Sequence, residues 1–311
     1  MTAARAIGLL LGAAADGVIG EPKRGRPVTA FTRAVDGLDA RLPDSRLSGI
    51  GFAGGLAGAV LLAGTLVERA GRAAPVFQAL GTAAATWAVL GGAGLAADGT
   101  ELARDLEEGE FDAARATLSE LDTRRTESLD VAGLSRASVE SVARHTADAV
   151  VGPLFWGAVA GVPGLLAART VSVLRSLDDP TRRAGWFARR LDDVVNLLPT
   201  RFAAALTVSS APVVGGSAAG AWRAWRRDTG AHPSRNAGRM EAAFAGALEI
   251  RLGGRTVYPH GVEELPVLGD GRNPDAGHVT RAVELSRVVG WIAGISSAAL
   301  AALLGLRRRS H

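Results

Sequence analysis

Long stretches of this chain carry almost no charge, and their lengths constrain its fold more than any other feature. Residues 6–20, 49–67, 73–97, 149–168, 202–222 and 288–306 each approach the ~20 residues that an α-helix needs to cross a bilayer. The second, third and last of these runs read as ordinary spans. The first begins like a signal peptide, with Arg5 ahead of an apolar stretch that ends in Ala13-Ala14-Ala15. A polar motif starts inside it, at Asp16, so it is read as a retained segment.

Two runs are broken. Residues 149–168 contain Pro153, Gly161, Pro163 and Gly164, and residues 202–222 contain Pro212 with Gly215-Gly216. At membrane depth such breaks are tolerated only where protein or a watery cavity satisfies the freed backbone groups. Each run reads as a kinked span or a re-entrant hairpin; the hairpin would keep the polar segments 98–148, 169–201 and 223–287 on one membrane face. Those segments read mainly as helices. Leu102, Leu106, Phe111, Ala114 and Leu118 recur at helical spacing over 100–121. Gly133 and Ser135 mark a turn and N-cap ahead of a helix through Val150, and Asp179-Pro180 opens a helix through Val195. Residues 239–250 read as a further helix, after which Gly253-Gly254 and Pro259-His260-Gly261 flank a short extended piece. The expected fold is all-α, a single polytopic integral membrane domain over residues 1–311 with long helical polar loops on one face.

Composition agrees with this reading. Hydrophobic residues make up 48% of the chain but aromatics only 5%, leaving few large side chains to fill a soluble core. With no Cys, disulfides, thiolate metal sites and Cys nucleophiles are excluded. The pI of about 10.6 comes from Arg, Lys23 being the only lysine. These arginines are scattered among almost as many carboxylates, without aromatic interleaving or a recognition motif, which argues against nucleic acid.

There is no nucleotide-binding Gly-rich loop, no His-Glu-x-x-His, and the His residues (145, 232, 260, 278, 311) are too dispersed for a metal-ligand spacing. What remains are polar clusters beside the apolar runs. Asp16, Glu21, Lys23, Arg24 and Arg26 combine carboxylates suited to Mg²⁺ with cations suited to phosphate; interfacial anchoring is the commoner use of such charges. Ser141, His145 and Asp148 share one helix face, and Glu140 pairs with Arg144 at i, i+4. Asp192 and Asp193 point about 100° apart on a helix, so only one of them can face a given site. His232-Pro233-Ser234-Arg235-Asn236-Ala237-Gly238 precedes a helix whose free N–H groups attract anions, although a plain helix cap accounts for it almost as well. Residues alone give a membrane protein with an anion-binding polar face.

In order and spacing, the same stretches resemble the CobD/CbiB family over nearly the whole chain. The similarity is carried by Asp16-Gly17-Val18-Ile19-Gly20-Glu21-Pro22-Lys23-Arg24-Gly25-Arg26-Pro27-Val28, Glu140-Ser141-Val142-Ala143 and Pro153-Leu154-Phe155-Trp156. It continues through Gly185-Trp186 to Arg190-Leu191-Asp192-Asp193, His232 to Gly238, Glu241 to Leu248, Arg251-Leu252-Gly253-Gly254 and Leu268-Gly269-Asp270-Gly271. The resemblance implies an ATP-dependent amide ligase of cobalamin biosynthesis. It would join the carboxylate of a corrinoid substrate, adenosylcobyric acid, to the amine of aminopropanol or its O-phosphate. Mg²⁺ and ATP would activate the carboxylate, and other enzymes of the pathway would be partners beside the lipid bilayer. Carried over by motif, Asp16 and Glu21 would bind metal, and Glu140, Asp192 and Asp193 would be catalytic. Lys23, Arg24, Arg124, His232, Ser234 and Asn236 would hold phosphate or carboxylate groups. The protein would be a multi-pass protein of the cell membrane, its motif-bearing loops in the cytoplasm.

The chain departs from the family pattern at Thr123-Arg124-Arg125 for Gly-Arg-Asp, Arg144-His145-Thr146 for Glu-Asn-Thr, and Ser172-Val173-Leu174-Arg175-Ser176 for Asn-Thr-Leu-Asp-Ser. Arg26-Pro27-Val28 and Arg235-Asn236 stand for His-Pro-Val and Pro-Asn. Arg125, Arg144 and Arg175 each reverse a unit charge, which defines an alternative: a catalytically impaired relative that binds a corrinoid or scaffolds pathway enzymes. A third reading is a small-molecule transporter whose broken segments around Pro163 and Pro212 line a path.

Overall fold

The structure, a computed structural model, describes residues 2–20, 27–71, 73–176 and 185–307. In chain order the helices are α1 (Thr2–Ile19), α2 (Pro27–Asp39), α3 (Arg46–Gly71), α4 (Pro75–Val89), α5 (Gly92–Glu108), α6 (Phe111–Leu121) and α7 (Val131–His145). They continue as α8 (Gly152–Ala160), α9 (Val162–Ser176), α10 (Trp186–Val195), α11 (Leu197–Ser210), α12 (Ala218–Asp228) and α13 (Arg235–Leu248). A hairpin of β1 (Leu252–Tyr258) and β2 (Gly261–Leu268) precedes the long α14 (Ala276–Arg307). Among the described residues, the helical stretches Arg46–Gly71, Pro75–Glu108, Leu197–Val214 and Ala276–Leu306 are long and apolar enough to cross a membrane. The protein is an all-α polytopic membrane protein.

The chain divides into two compact units. One comprises the described parts of Met1–Ala93, Asp148–Pro199 and Trp291–His311. In it, α1 packs on α4 through small residues: a Cβ built on Gly8 would lie 2.6 Å from Thr82 Cβ, and one on Gly12 would lie 2.4 Å from Thr86 Cβ. Such close backbone approach is how helices associate where lipid removes the usual hydrophobic drive. Pro75 occupies the first turn of α4, where its missing N–H costs nothing. The apolar run 149–168 is not one helix. A π-helix over Thr146–Val151 leads into the short α8, and Gly161, at φ 73°, separates α8 from α9, with which it packs. Glu68 of α3 secures this break by pairing with Arg5 of α1 and accepting the backbone N–H of Val162 at 3.0 Å. One carboxylate thus ties three helices and satisfies an orphan donor at the start of α9.

The second unit comprises Gly94–Ala147 and Thr200–Gly290. Here α12 and α13 cross closely, with Gly220 and Gly246 at the contact: a Cβ on Gly246 would meet Gly220 O at 2.3 Å. Three expectations are corrected. The helix expected over 100–121 breaks at Gly109, whose φ of 79° ends α5 before α6 begins. The N-cap of α7 is Asp130, whose side chain accepts the Gly133 N–H at 2.8 Å, so the helix starts before Ser135. The extended piece after Gly253-Gly254 is a two-stranded antiparallel hairpin with a bulge between Leu252 and Gly254. The expected start of α10, at Asp179-Pro180, lies outside the described residues.

Candidate functional site

In the second unit a buried ion network joins the segment after α6, helix α7, the hairpin and the start of α13. Asp122, with a fully buried side chain, receives Arg124 Nη2 at 2.8 Å and Arg144 Nη2 at 2.8 Å on the same oxygen, Oδ2. Its Oδ1 accepts the Arg124 N–H at 3.1 Å. Arg124 Nη1 also donates to Glu140 Oε2 at 2.7 Å, and Glu140 Oε1 accepts the Gly253 N–H at 2.6 Å. The hairpin is clamped to α7 by Arg136, which donates to the Gly253 and Arg255 carbonyls at 2.6 and 3.0 Å. Burial alone would push the Asp122 carboxyl up, but Arg144 and Arg124 hold it well below the usual carboxylate range. Burial would likewise lower both arginines; Glu140 and Asp122 raise Arg124, and Asp122 and Glu241 raise Arg144. Arg144 keeps 31% of its side chain exposed, against 3% for Arg124, so solvent and solutes meet the network at Arg144.

His232 extends this network. Its Nδ1 lies 2.8 Å from the Ser234 carbonyl, and its Nε2 lies 3.4 Å from Glu241 Oε2 on α13. That separation is an ion-pair contact rather than a short hydrogen bond. Burial disfavours the charged ring, yet Glu241 and the Ser234 carbonyl raise its pKa against the opposing charge of Arg144. Glu241, which burial would raise, is instead lowered by His232, Arg144 and Arg124. Ser234 caps α13 by accepting the Ala237 N–H at 3.4 Å, and Asn236 Oδ1 accepts from Arg239 Nη1 at 2.8 Å and Thr200 Oγ1 at 3.3 Å.

The first unit holds a separate acidic centre where the π-helix meets α9 and α10. Asp192 is buried, with Oδ1 accepting from Asn196 Nδ2 at 2.6 Å. Burial and the nearby Asp148 raise it to about 7, in spite of Asn196 and Arg175. Asp148 sits in the π-helix, and its carbonyl accepts the Ser172 hydroxyl at 3.0 Å. Single π-turns of this kind are frequent at functional sites. Asp193 faces outward, 3.9 Å from Arg190, so α10 presents only Asp192 to the centre. Asp16 is buried in α1, and its Oδ2 accepts the Ala93 N–H at 3.2 Å.

The structure therefore gathers Arg124, Glu140 and His232 in one network, with Ser234 and Asn236 following at the start of α13, and sets Asp192 and Asp16 in the other unit. Glu21, Lys23 and Arg24 lie outside the described residues. Asp122 and Glu241 complete the network; Asp122 is not singled out by the sequence and Glu241 only opens a resembling stretch, since nothing in their local sequence shows that Arg144 and His232 would face them. Of the departures, Arg144 is matched by Asp122, Arg175 acts on Asp192, and Arg125 is exposed, its backbone N–H donating to the Val257 carbonyl. Among the described residues, no three His, Asp or Glu side chains are gathered as metal ligands.

Residues 9–286 match the model of the family described as CobD/Cbib protein. The chain is 49% identical over 311 residues to the cobalamin biosynthesis protein CobD of Mycobacterium tuberculosis (strain H37Rv), covering 98% of this chain and 97% of the relative. It is 34% identical over 300 residues to the protein of that name from Chromobacterium violaceum, covering 93% and 95%. The corresponding protein of Stutzerimonas stutzeri is 33% identical over 275 residues, covering 87% and 89%. No solved structure matches the chain.

Proposed function

The chain belongs to the CobD/CbiB family of cobalamin biosynthesis proteins, and from that premise we propose that it is an ATP-dependent amide ligase. Its substrates would be adenosylcobyric acid and aminopropanol or its O-phosphate. The observation that carries the reading is the acidic centre. At neutral pH an amine arrives as an ammonium ion and must lose a proton before it can attack a carboxyl carbon. A buried carboxylate raised to about 7, beside a second carboxylate, is matched to that task. Asp192 is the proposed proton acceptor, and Asp148 the neighbour that tunes it.

ATP would supply the phosphoryl group that makes the corrinoid carboxylate reactive, with ADP and then phosphate as leaving groups. Mg²⁺ carried on nucleotide phosphates needs one or two protein carboxylates, not a full protein cage. Asp16, a buried carboxylate, fits that requirement, and Glu21 is its proposed companion. The ion network would present phosphate- and carboxylate-binding cations: Arg144 at its exposed edge, Arg124 and His232 behind it. Glu140 is a positioning residue, since both its oxygens are engaged in holding Arg124 and the hairpin. Lys23, Arg24, Ser234 and Asn236 are proposed to complete the anion contacts. A multi-pass position in the cell membrane, with these loops on the cytoplasmic side where ATP is available, completes the reading.

The Arg144–Asp122 and Arg175–Asp192 matches support an active enzyme over an impaired relative, because the positive charges answer carboxylates inside the fold. Single-turnover conversion of adenosylcobyric acid by the purified protein in detergent, with Mg-ATP and aminopropanol O-phosphate, tests the reading. Amide product formed in step with ADP is expected. Corrinoid binding without product would replace the ligase with a binding or scaffold role.

A further inference from the structure

The tip of the β1–β2 hairpin is held beside the ion network by its own backbone. Glu140 accepts the Gly253 N–H at 2.6 Å, Arg136 donates to the Gly253 and Arg255 carbonyls, and the Val257 carbonyl accepts the Arg125 N–H at 2.8 Å. The next residue, Tyr258, lies on the face of β1 that carries the buried Thr256. Burial raises its phenol above the ordinary value, and Arg124, Arg144 and Asp122 all act on it, so the ring lies within electrostatic reach of the network. Tyr258 is half-buried and stacks on His260, with ring centroids 5.2 Å apart and planes 11° apart. His260 Nε2 in turn lies 2.9 Å from Glu263 Oε1. Across the hairpin Tyr258 pairs with Gly261, where an added Cβ would meet nothing within 4 Å, so the position opposite the ring is open. A fixed aromatic face near the exposed edge of Arg144 suits a ligand that joins a flat ring to an anionic chain.

We propose that the hairpin tip is the base platform of the nucleotide site: the purine of a nucleoside triphosphate stacks on Tyr258 and His260 while its phosphates meet Arg144. This rests on the ligase reading and deepens it by placing the nucleotide. The sequence holds no nucleotide-binding Gly-rich loop, so base and phosphates need another cradle. Stacking on an aromatic side chain supplies the first, because every base has a π-face, and a planar guanidinium supplies the second. The adenosyl group of the corrinoid offers the same ring without phosphates, and the nearness of Arg144 favours the triphosphate.

Calorimetric titration of the full chain in detergent with Mg-ATP, Mg-tripolyphosphate and adenosylcobyric acid tests this. Wild type is expected to bind Mg-ATP about tenfold or more tightly than Mg-tripolyphosphate, the difference being the stacked base. Tyr258→Leu should bring Mg-ATP affinity down to the tripolyphosphate level and leave tripolyphosphate affinity unchanged, whereas Tyr258→Phe should keep Mg-ATP affinity. Arg144→Gln should weaken both ligands. If Tyr258→Leu fails to fold, His260→Ala, at the exposed turn, carries the test and should weaken Mg-ATP alone, by about threefold. Mg-ATP affinity unchanged in Tyr258→Leu and His260→Ala overturns the proposal and leaves the stack as a fastening of the turn. Equal losses for Mg-ATP and Mg-tripolyphosphate in Tyr258→Leu, or a loss confined to the corrinoid, overturn it as well. Turnover with Tyr258-independent Mg-ATP binding would sink the platform and keep the ligase. Tyr258-dependent Mg-ATP binding without any turnover would do the reverse.

Discussion

Replacing His232 by Gln should change how the stability of the protein responds to pH. In the fold, His232 faces Glu241 at 3.4 Å and the Ser234 carbonyl at 2.8 Å, with Arg144 opposing its charge. Burial weakens the charged ring but does not win, and the pKa is raised. A raised folded pKa contributes stability fully present below the ordinary His value of about 6.5 and lost as pH rises through the folded value. Glu241 is lowered, so its share is present above about 4.3 and lost as pH falls below it. The pair therefore works best between those limits. One proton limits the slope to about 1.4 kcal/mol per pH unit, and a long, buried contact opposed by Arg144 places the total near 1 kcal/mol. Chemical denaturation in detergent at pH 6, 7, 8 and 9 measures it. The gap between wild type and His232→Gln should be widest at pH 6 and shrink as pH rises above the ordinary His value. A gap that stays constant, or grows with pH, would refute the reasoning.

The other predictions use the same kind of measurement. Asp122→Asn leaves Arg124 and Arg144 facing each other over a neutral amide and should cost about 3 kcal/mol or more of stability; a loss below about 1 kcal/mol would mean that water already screens the network. Asp192→Asn should lower turnover by at least about 100-fold. Because ionised Asp192, with a pKa raised to about 7, costs stability as pH climbs from the ordinary Asp range through that value, the variant should also melt higher than wild type at pH 8 in metal-free detergent. A variant that melts lower would show that the carboxylate is structural. Gly246→Ala forces a Cβ to 2.3 Å from Gly220 O and should cost about 1–3 kcal/mol, read by thermal unfolding; an unchanged melting temperature would show that α12 and α13 can separate freely.

The helical character of this chain was legible because apolar runs near the length of a bilayer crossing leave few alternatives. Its breaks were legible only as breaks. Pro153, Gly161 and Pro163 announce an interrupted segment, but the π-turn that sets Asp148 beside Asp192 has no local signature in Thr146-Ala147-Asp148. The hairpin was missed as a hairpin because Glu263 and Glu264 interrupt an apolar alternation and Pro266 argues against a strand. Helix geometry alone foresaw that Asp192 and Asp193 would part, and they do. Arg144 shows the reverse case. In sequence it reads as a charge reversal beside Glu140, while in space it lies on Asp122, 22 residues away along the chain. A charge can be judged only against its partner, and partners across such distances are set by packing.

Charge accounting shows how the ion network of the second unit is balanced. Asp122, Glu140 and Glu241 are three carboxylates, and Arg124, Arg144 and protonated His232 are three cations, so that network is neutral only while His232 keeps its proton. With its buried contacts of 2.7–2.8 Å made internally, the network has chiefly the exposed edge of Arg144 to offer an arriving anion. The network therefore shapes the polar face and fixes the hairpin against α7, and it meets an anion at Arg144. It follows that Asp122→Asn should weaken the fold before it weakens phosphate binding. Arg144→Gln should weaken phosphate binding at the exposed edge, and losses of stability and binding that track each other in both variants would show that fold and anion site are one unit.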